Sequence, residues 1–213
     1  MNGRKLKIWK IEGFYSFSTL RSEYVTTKET VVYVTELDRS VLTRDFVMTN
    51  DTGSTMLQVT GKTICKDMLR EFEDGDGLPL LELRRRAGTW AATLPGATPG
   101  DNIASIAFKA FLVHTKFQVV FNNLMPPSAG ETHDYQDVVM LDVKGLDSSN
   151  ERVQVACGRS TVMHIRRTVD EHGSRSAYKH AYGYRTRWEV TLSEGMDMSL
   201  AAIIIVVLAE QRG

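Results

Sequence analysis

The chain has 213 residues, 42% of them hydrophobic and 24% charged, with 26 basic side chains balanced by 26 acidic ones. That length and apolar content support a substantial core and exclude the disordered, collagen-like and disulfide-rich classes. The formal charge of zero excludes a bulk polyanion binder of the histone type, but leaves room for a local basic face.

Residues 1–10 are basic but lack the apolar run of about 7–15 residues that a secretory leader needs. The expected setting is therefore cytoplasmic, with peripheral membrane association open, and the sequon at Asn50 is not expected to carry a glycan. One domain over residues 1–213 is the economical organisation, with residues 1–22 as a peripheral arm. From there the apolar residues recur with a period of two. VVYVTEL, DFVMT, TMLQVT, LLELRR, IASIAFK, VVMLDVK, RVQVA and TVMHIRR are short, rich in β-branched residues and bounded by turn chemistry. Asn50-Asp51-Thr52-Gly53 and Asp74-Gly75-Asp76-Gly77 read as hairpin turns. Phe117, Val119 and Phe121 share one strand face, and Trp188, Val190 and Leu192 share another. About eleven or twelve strands result, spaced by roughly 8–15 residues, which makes the chain mainly β.

The last apolar segment breaks the pattern. Residues 200–208 read LAAIIIVVL, far short of the roughly 20 apolar residues of a membrane-spanning helix and apolar on every side. A dozen antiparallel strands close into a barrel too wide for their own side chains to fill. A helix over residues 199–210, capped by Asp197 or Ser199, would fill it. The β-branched run from Ile203 to Val207 also permits a buried final strand, and the filling problem favours the helix.

The chemical motifs are sparse. Asp51-Thr52-Gly53-Ser54 spells the DTGS signature of aspartic proteases, whose chemistry needs two carboxylates sharing a proton, and no second D-[ST]-G occurs. Gly61-Lys62-Thr63 resembles the end of a P-loop, but Met56 stands where that motif needs its first Gly. His114, His133, His164, His172 and His180 show no metal-binding spacing, and Cys65 and Cys157 are read as two buried free thiols. No catalytic residue, metal or cofactor is expected, and a hydrolase using Asp51 is the least favoured alternative. Charge is distributed unevenly instead. Residues 127–150 hold one basic against five acidic side chains, and residues 151–190 hold eight against four. Guanidinium forks bind oxyanions bidentately, so the candidate ligand-binding residues are Arg84, Arg86, Arg159, Arg166, Arg167, Arg185 and Arg187. Tyr178, Tyr182, Tyr184 and Trp188 are interleaved with the last of these. The competing reading is a solvated sheet exterior with ordinary cross-strand ion pairs.

Four segments carry a family resemblance: DFVMTNDTGSTMLQVTG (45–61), LPLLELRRRAGTW (78–90), MLDVKGLDSSNERVQVACGRSTVMHIRR (140–167) and GMDMSLAAIIIVVLAEQ (195–211). In order and spacing the chain resembles the LURP-one-related family, whose fold is like the tubby C-terminal domain and the phospholipid scramblases. The resemblance implies an antiparallel, tubby-like barrel of about twelve strands enclosing a hydrophobic C-terminal helix. It also implies a non-enzymatic binding or scaffold role, since tubby domains bind phosphoinositides through basic side chains. The calcium-binding segment, Cys-rich tract and long terminal span of scramblases have no counterpart here. The expected partner is a phosphoinositide or membrane surface, the alternative a protein partner without a lipid site. Nucleic acid is not expected, and the protein is read as a monomer.

Overall fold

The computed structural model describes residues 20–37, 44–64, 67–98, 100–108, 115–122, 138–170 and 185–211. A short 3-10 turn at Ser22–Tyr24 precedes twelve strands. These are β1 (Thr30–Glu36), β2 (Phe46–Asn50), β3 (Thr55–Ile64), β4 (Asp67–Asp74), β5 (Pro79–Arg86) and β6 (Thr89–Thr93). They continue with β7 (Asn102–Phe108), β8 (Lys116–Asn122), β9 (Val138–Gly145), β10 (Arg152–Cys157), β11 (Ser160–Asp170) and β12 (Arg185–Leu192). One helix, α1 (Met198–Glu210), ends the described chain. Each strand pairs antiparallel with its neighbour in sequence, and β1 pairs with β12 to close the barrel.

The period-two pattern determines which residues point inward. Phe117, Val119 and Phe121 on β8 are buried and lie opposite Val143, Leu141 and Val139 on β9. Between them Gln118 faces out and donates to Asp142 Oδ1 at 2.8 Å. The hairpin turns form as their chemistry dictates. Asn50 Oδ1 accepts from the backbone N–H groups of Thr52 and Ser54, and Asp74 Oδ1 accepts from those of Asp76 and Leu78.

The helix fills the barrel. Every residue from Met198 to Ala209 is buried, and Ile203, Ile204, Ile205, Val206 and Val207 are wholly inaccessible. Their side chains join the inward strand residues in one core cluster. β-branched residues are not strong helix formers, and here burial on all sides overrides that preference. Asp197 caps the N-terminus, its Oδ1 accepting from Ser199 N at 2.7 Å and Ser199 Oγ at 2.5 Å. Thr26 clasps the approach to this end through hydrogen bonds to Ser193 O and from Met196 N. At the C-terminus Arg44 Nη1 donates to Ala209 O at 2.7 Å. Arg70 points inward from β4, and its Nε and Nη2 donate to Glu210 Oε1 at 3.0 and 2.6 Å. The Arg70 side chain is fully buried.

Because antiparallel strands alternate in direction, the strand ends define two rims. The helix starts at one rim and ends at the other, where β1, β3, β5, β7, β9 and β11 also end. The segment 195–197, which leads into α1, is stitched to Val25 and Thr26 at the first rim.

Candidate functional site

The β5–β6 hairpin carries a concave site. Leu81 and Leu83 point into the core, so Glu82, Arg84 and Arg86 must point outward, with Thr93, Ala91 and Thr89 opposite them on β6. Residues 94–98 and 100–101 lie beside this face, held by Ala97 N donating to Leu94 O and Asp101 N to Thr98 O, both at 3.1 Å. The result is a groove of about 370 Å³ whose walls include Glu82, Arg84, Arg86, Thr89, Thr98 and Asn102. Arg84 Nε and Nη2 both donate to Glu82 Oε2, at 3.1 and 2.6 Å. The groove thus offers two guanidiniums, one carboxylate that already holds the first of them, and a set of neutral hydroxyl and amide groups. That set can bind an oxyanion and hydrogen-bond the hydroxyls beside it. Among the described residues no cluster of His, Cys, Asp and Glu could hold a metal.

The remaining candidate arginines stand elsewhere. Arg166 and Arg187 face outward from β11 and β12. Arg166 Nη2 donates to both carboxylate oxygens of Glu189, at 3.0 and 2.9 Å. The Arg187 guanidinium lies 4.0 Å from the ring centre of Tyr33, and its buried Nε has no hydrogen-bond partner. Arg167 is exposed near the end of β11, and Arg185 begins β12 opposite Asp170, with its side chain outside the described residues. These four share a rim with Arg84 and Arg86 but stand on another wall, because β11 lies six strands from β5 either way around the barrel. Arg159 sits in the β10–β11 turn at the opposite rim. The structure therefore brings two of the seven arginines into one groove and spreads the rest.

Other sequence motifs receive structural roles. Asp51 is exposed in a hairpin turn whose hydrogen bonds converge on the Asn50 side chain, and Gly61-Lys62-Thr63 runs within β3. Cys157 is half-buried at the end of β10, so it is not the fully buried thiol expected. Burial, and then the nearby Asp142 carboxylate, push that thiol above its ordinary pKa. His164 lies on the outer face of β11. Cys65, the other four histidines, Tyr178, Tyr182 and Tyr184 lie outside the described residues. Sequence reading did not anticipate that Thr98 and Asn102 would wall the groove. They lie more than ten residues from Arg86, and only the placement of residues 94–98 and 100–101 brings them near.

The LURP-one-related family model matches residues 30–209, which takes in every strand and nearly all of α1. The chain belongs to the LURP-one-related family. The fold of this LURP-one-related protein is similar to an X-ray structure of a protein from Arabidopsis thaliana, with a TM-score of 0.60 at 17% identity. The match covers 93% of this chain and all of the other. The comparison with curated proteins yields no match. No described helix of the LURP-one-related barrel is long and apolar enough to cross a membrane.

Proposed function

We propose that this LURP-one-related barrel is a non-enzymatic binding module that holds an anionic phosphate group of phosphoinositide type in the β5–β6 groove. One observation carries the reading: Arg84 and Arg86 project from alternate positions of one strand into a groove of about 370 Å³. Glu82 and the threonine hydroxyls would receive the hydroxyls of an inositol ring beside the phosphate. The family and the fold fit a binding domain. A phosphoinositide ligand would place the protein at the cytoplasmic face of a membrane, which cell fractionation checks.

Calorimetric titration with soluble inositol trisphosphate tests the groove directly, with phosphate-free inositol as the control. Binding is expected only to the phosphorylated compound. Arg86→Ala should weaken it about tenfold or more, the ordinary loss for a charge-assisted hydrogen bond. Equal affinity of wild type and Arg86→Ala, or no heat at all, removes the proposal. A second reading draws on the bond between Arg84 and Glu82, because a guanidinium already satisfied is less available to phosphate. On that reading the face binds protein and has no lipid site.

A further inference from the structure

The two rims of the barrel differ in charge, a difference that the neutral total conceals. Among the described residues at the rim where α1 begins, Glu23, Glu29, Asp51, Asp74, Asp76, Asp101 and Glu194 are set against Arg21, Lys28 and Arg159. At the rim where α1 ends, Arg85, Arg86, Lys144, Arg152, Arg166 and Arg167 are all exposed. Acids stand among them as well: Glu151 is exposed, and two others hold cations of this same set. Glu189 holds Arg166, and Asp147 accepts from Arg152 Nε at 3.3 Å. The helix C-terminus carries a partial negative charge that calls for cations, but Arg44 and Arg70 meet that need from inside.

These cations stand on two walls of the rim, one on β5 and the other on the adjacent strands β9, β10 and β11. Arg85 and Arg86 stand on β5, Lys144 on β9, Arg152 on β10, and Arg166 and Arg167 on β11, six strands from β5 in either direction. Twelve strands spaced at about 4.8 Å make a barrel at least roughly 18 Å across before tilt widens it. No single small ligand can reach both walls, but an extended anionic surface can. We infer that the protein docks end-on to an anionic lipid bilayer, with the α1 C-terminal rim against the headgroups and the barrel axis along the membrane normal. The inference rests on the proposed anionic lipid target; of its residues only Arg86 also lines the groove, and the test leaves Arg86 unchanged. The acidic rim orients the molecule by repulsion from the same surface.

Co-sedimentation with phosphatidylcholine vesicles, with and without phosphatidylserine and free of phosphoinositide, tests the docking apart from the groove. Full-length protein should bind only the phosphatidylserine vesicles, and binding should fall as salt is raised. A basic residue at an anionic surface contributes about fivefold to partitioning, so charge reversal should cost about tenfold or more. Arg85→Glu on one wall and Arg167→Glu on the other should each show that loss, and the double variant should multiply it. Arg159→Glu, which reverses the same charge at the far rim, should stay within about twofold of wild type. Unchanged thermal midpoints confirm that the variants fold. Loss confined to one wall, an equal loss with Arg159→Glu, or no binding to phosphatidylserine at low salt overturns end-on docking. So does stronger binding to soluble polyglutamate than to vesicles, which would indicate an acidic protein partner. Groove binding of inositol trisphosphate can succeed or fail in any of these cases.

Discussion

Ala87 is held at a φ of 48° beside Gly88 at 83°, in the two-residue turn that joins β5 to β6. Positive φ at both central positions is the geometry of the hairpin turn whose twist matches the flanking strands, and it suits glycine or asparagine rather than alanine. The turn sits next to Arg86, so the strain is located at the mouth of the groove. Ala87→Gly should therefore raise stability by about 0.5–1 kcal/mol in urea denaturation, despite the added freedom of the unfolded chain. A destabilised variant would show that the turn is not strained. Gly61 marks the opposite constraint. A Cβ there would lie 2.7 Å from Arg44 O and 2.8 Å from Arg44 N, so the close passage of the two chains at the helix C-terminus admits no side chain. Asp147 makes the loop after β9 sensitive to pH. Burial pushes its carboxyl up, but hydrogen bonds from Glu151 N, Ser149 Oγ and Arg152 outweigh that and hold it below the ordinary range. A lowered folded-state pKa means that the stabilisation is present at neutral pH. It fades as the pH falls from about 4 through the lower folded value. Asp147→Ala should therefore have a lower denaturation midpoint than wild type at pH 7, with the gap narrowing as the pH falls below about 4. A gap that stays constant with pH would count against this account.

Elements are held by what meets their ends. α1 needs no amphipathic face, since it is enclosed all round, and its position along the barrel is set by polar contacts at its two termini. At one end Asp197 satisfies the first turn, and at the other Arg70 and Glu210 form a buried pair. Removing one partner of such a pair leaves a charge in a dry site, whereas removing both need not. Arg70→Met should cost about 3–5 kcal/mol in urea denaturation, and Arg70→Met with Glu210→Leu should recover most of it. A double variant as unstable as the single one would mean that the pair contributes through more than mutual neutralisation. β4 shows why this strand is hard to recognise from sequence. DMLREFED has charges at most of its positions, yet Phe72 and Arg70 face the core opposite Leu81 and Leu83. The strand obeys the period of two, but its inward cation hides the pattern until the helix end is known. β8 and β12 display theirs openly because Phe117-Val119-Phe121 and Trp188-Val190-Leu192 are apolar, with only Thr186 a polar inward position on β12.

For the whole molecule, closure of the barrel converts local strand pattern into charge geometry. Arg84 and Arg86 were legible as a same-face pair because side-chain direction alternates along any strand. Their grouping with Thr98 and Asn102 was not, since it depends on how residues 94–98 and 100–101 are placed. The basic stretch of residues 151–190 was likewise visible as a local excess, but its division between rims was not: Arg159 turns at one end and Arg166 and Arg167 lie near the other. The sequence by itself determined the mainly β class, the faces of most strands and the need to enclose residues 200–208, because each follows from the spacing of neighbouring residues and from length. Only the tertiary structure decided that Arg70 meets Glu210 across 140 residues of chain, and that cations on opposite walls share one rim. Those facts depend on which strands close the barrel and where the helix ends within it, and no local periodicity encodes either.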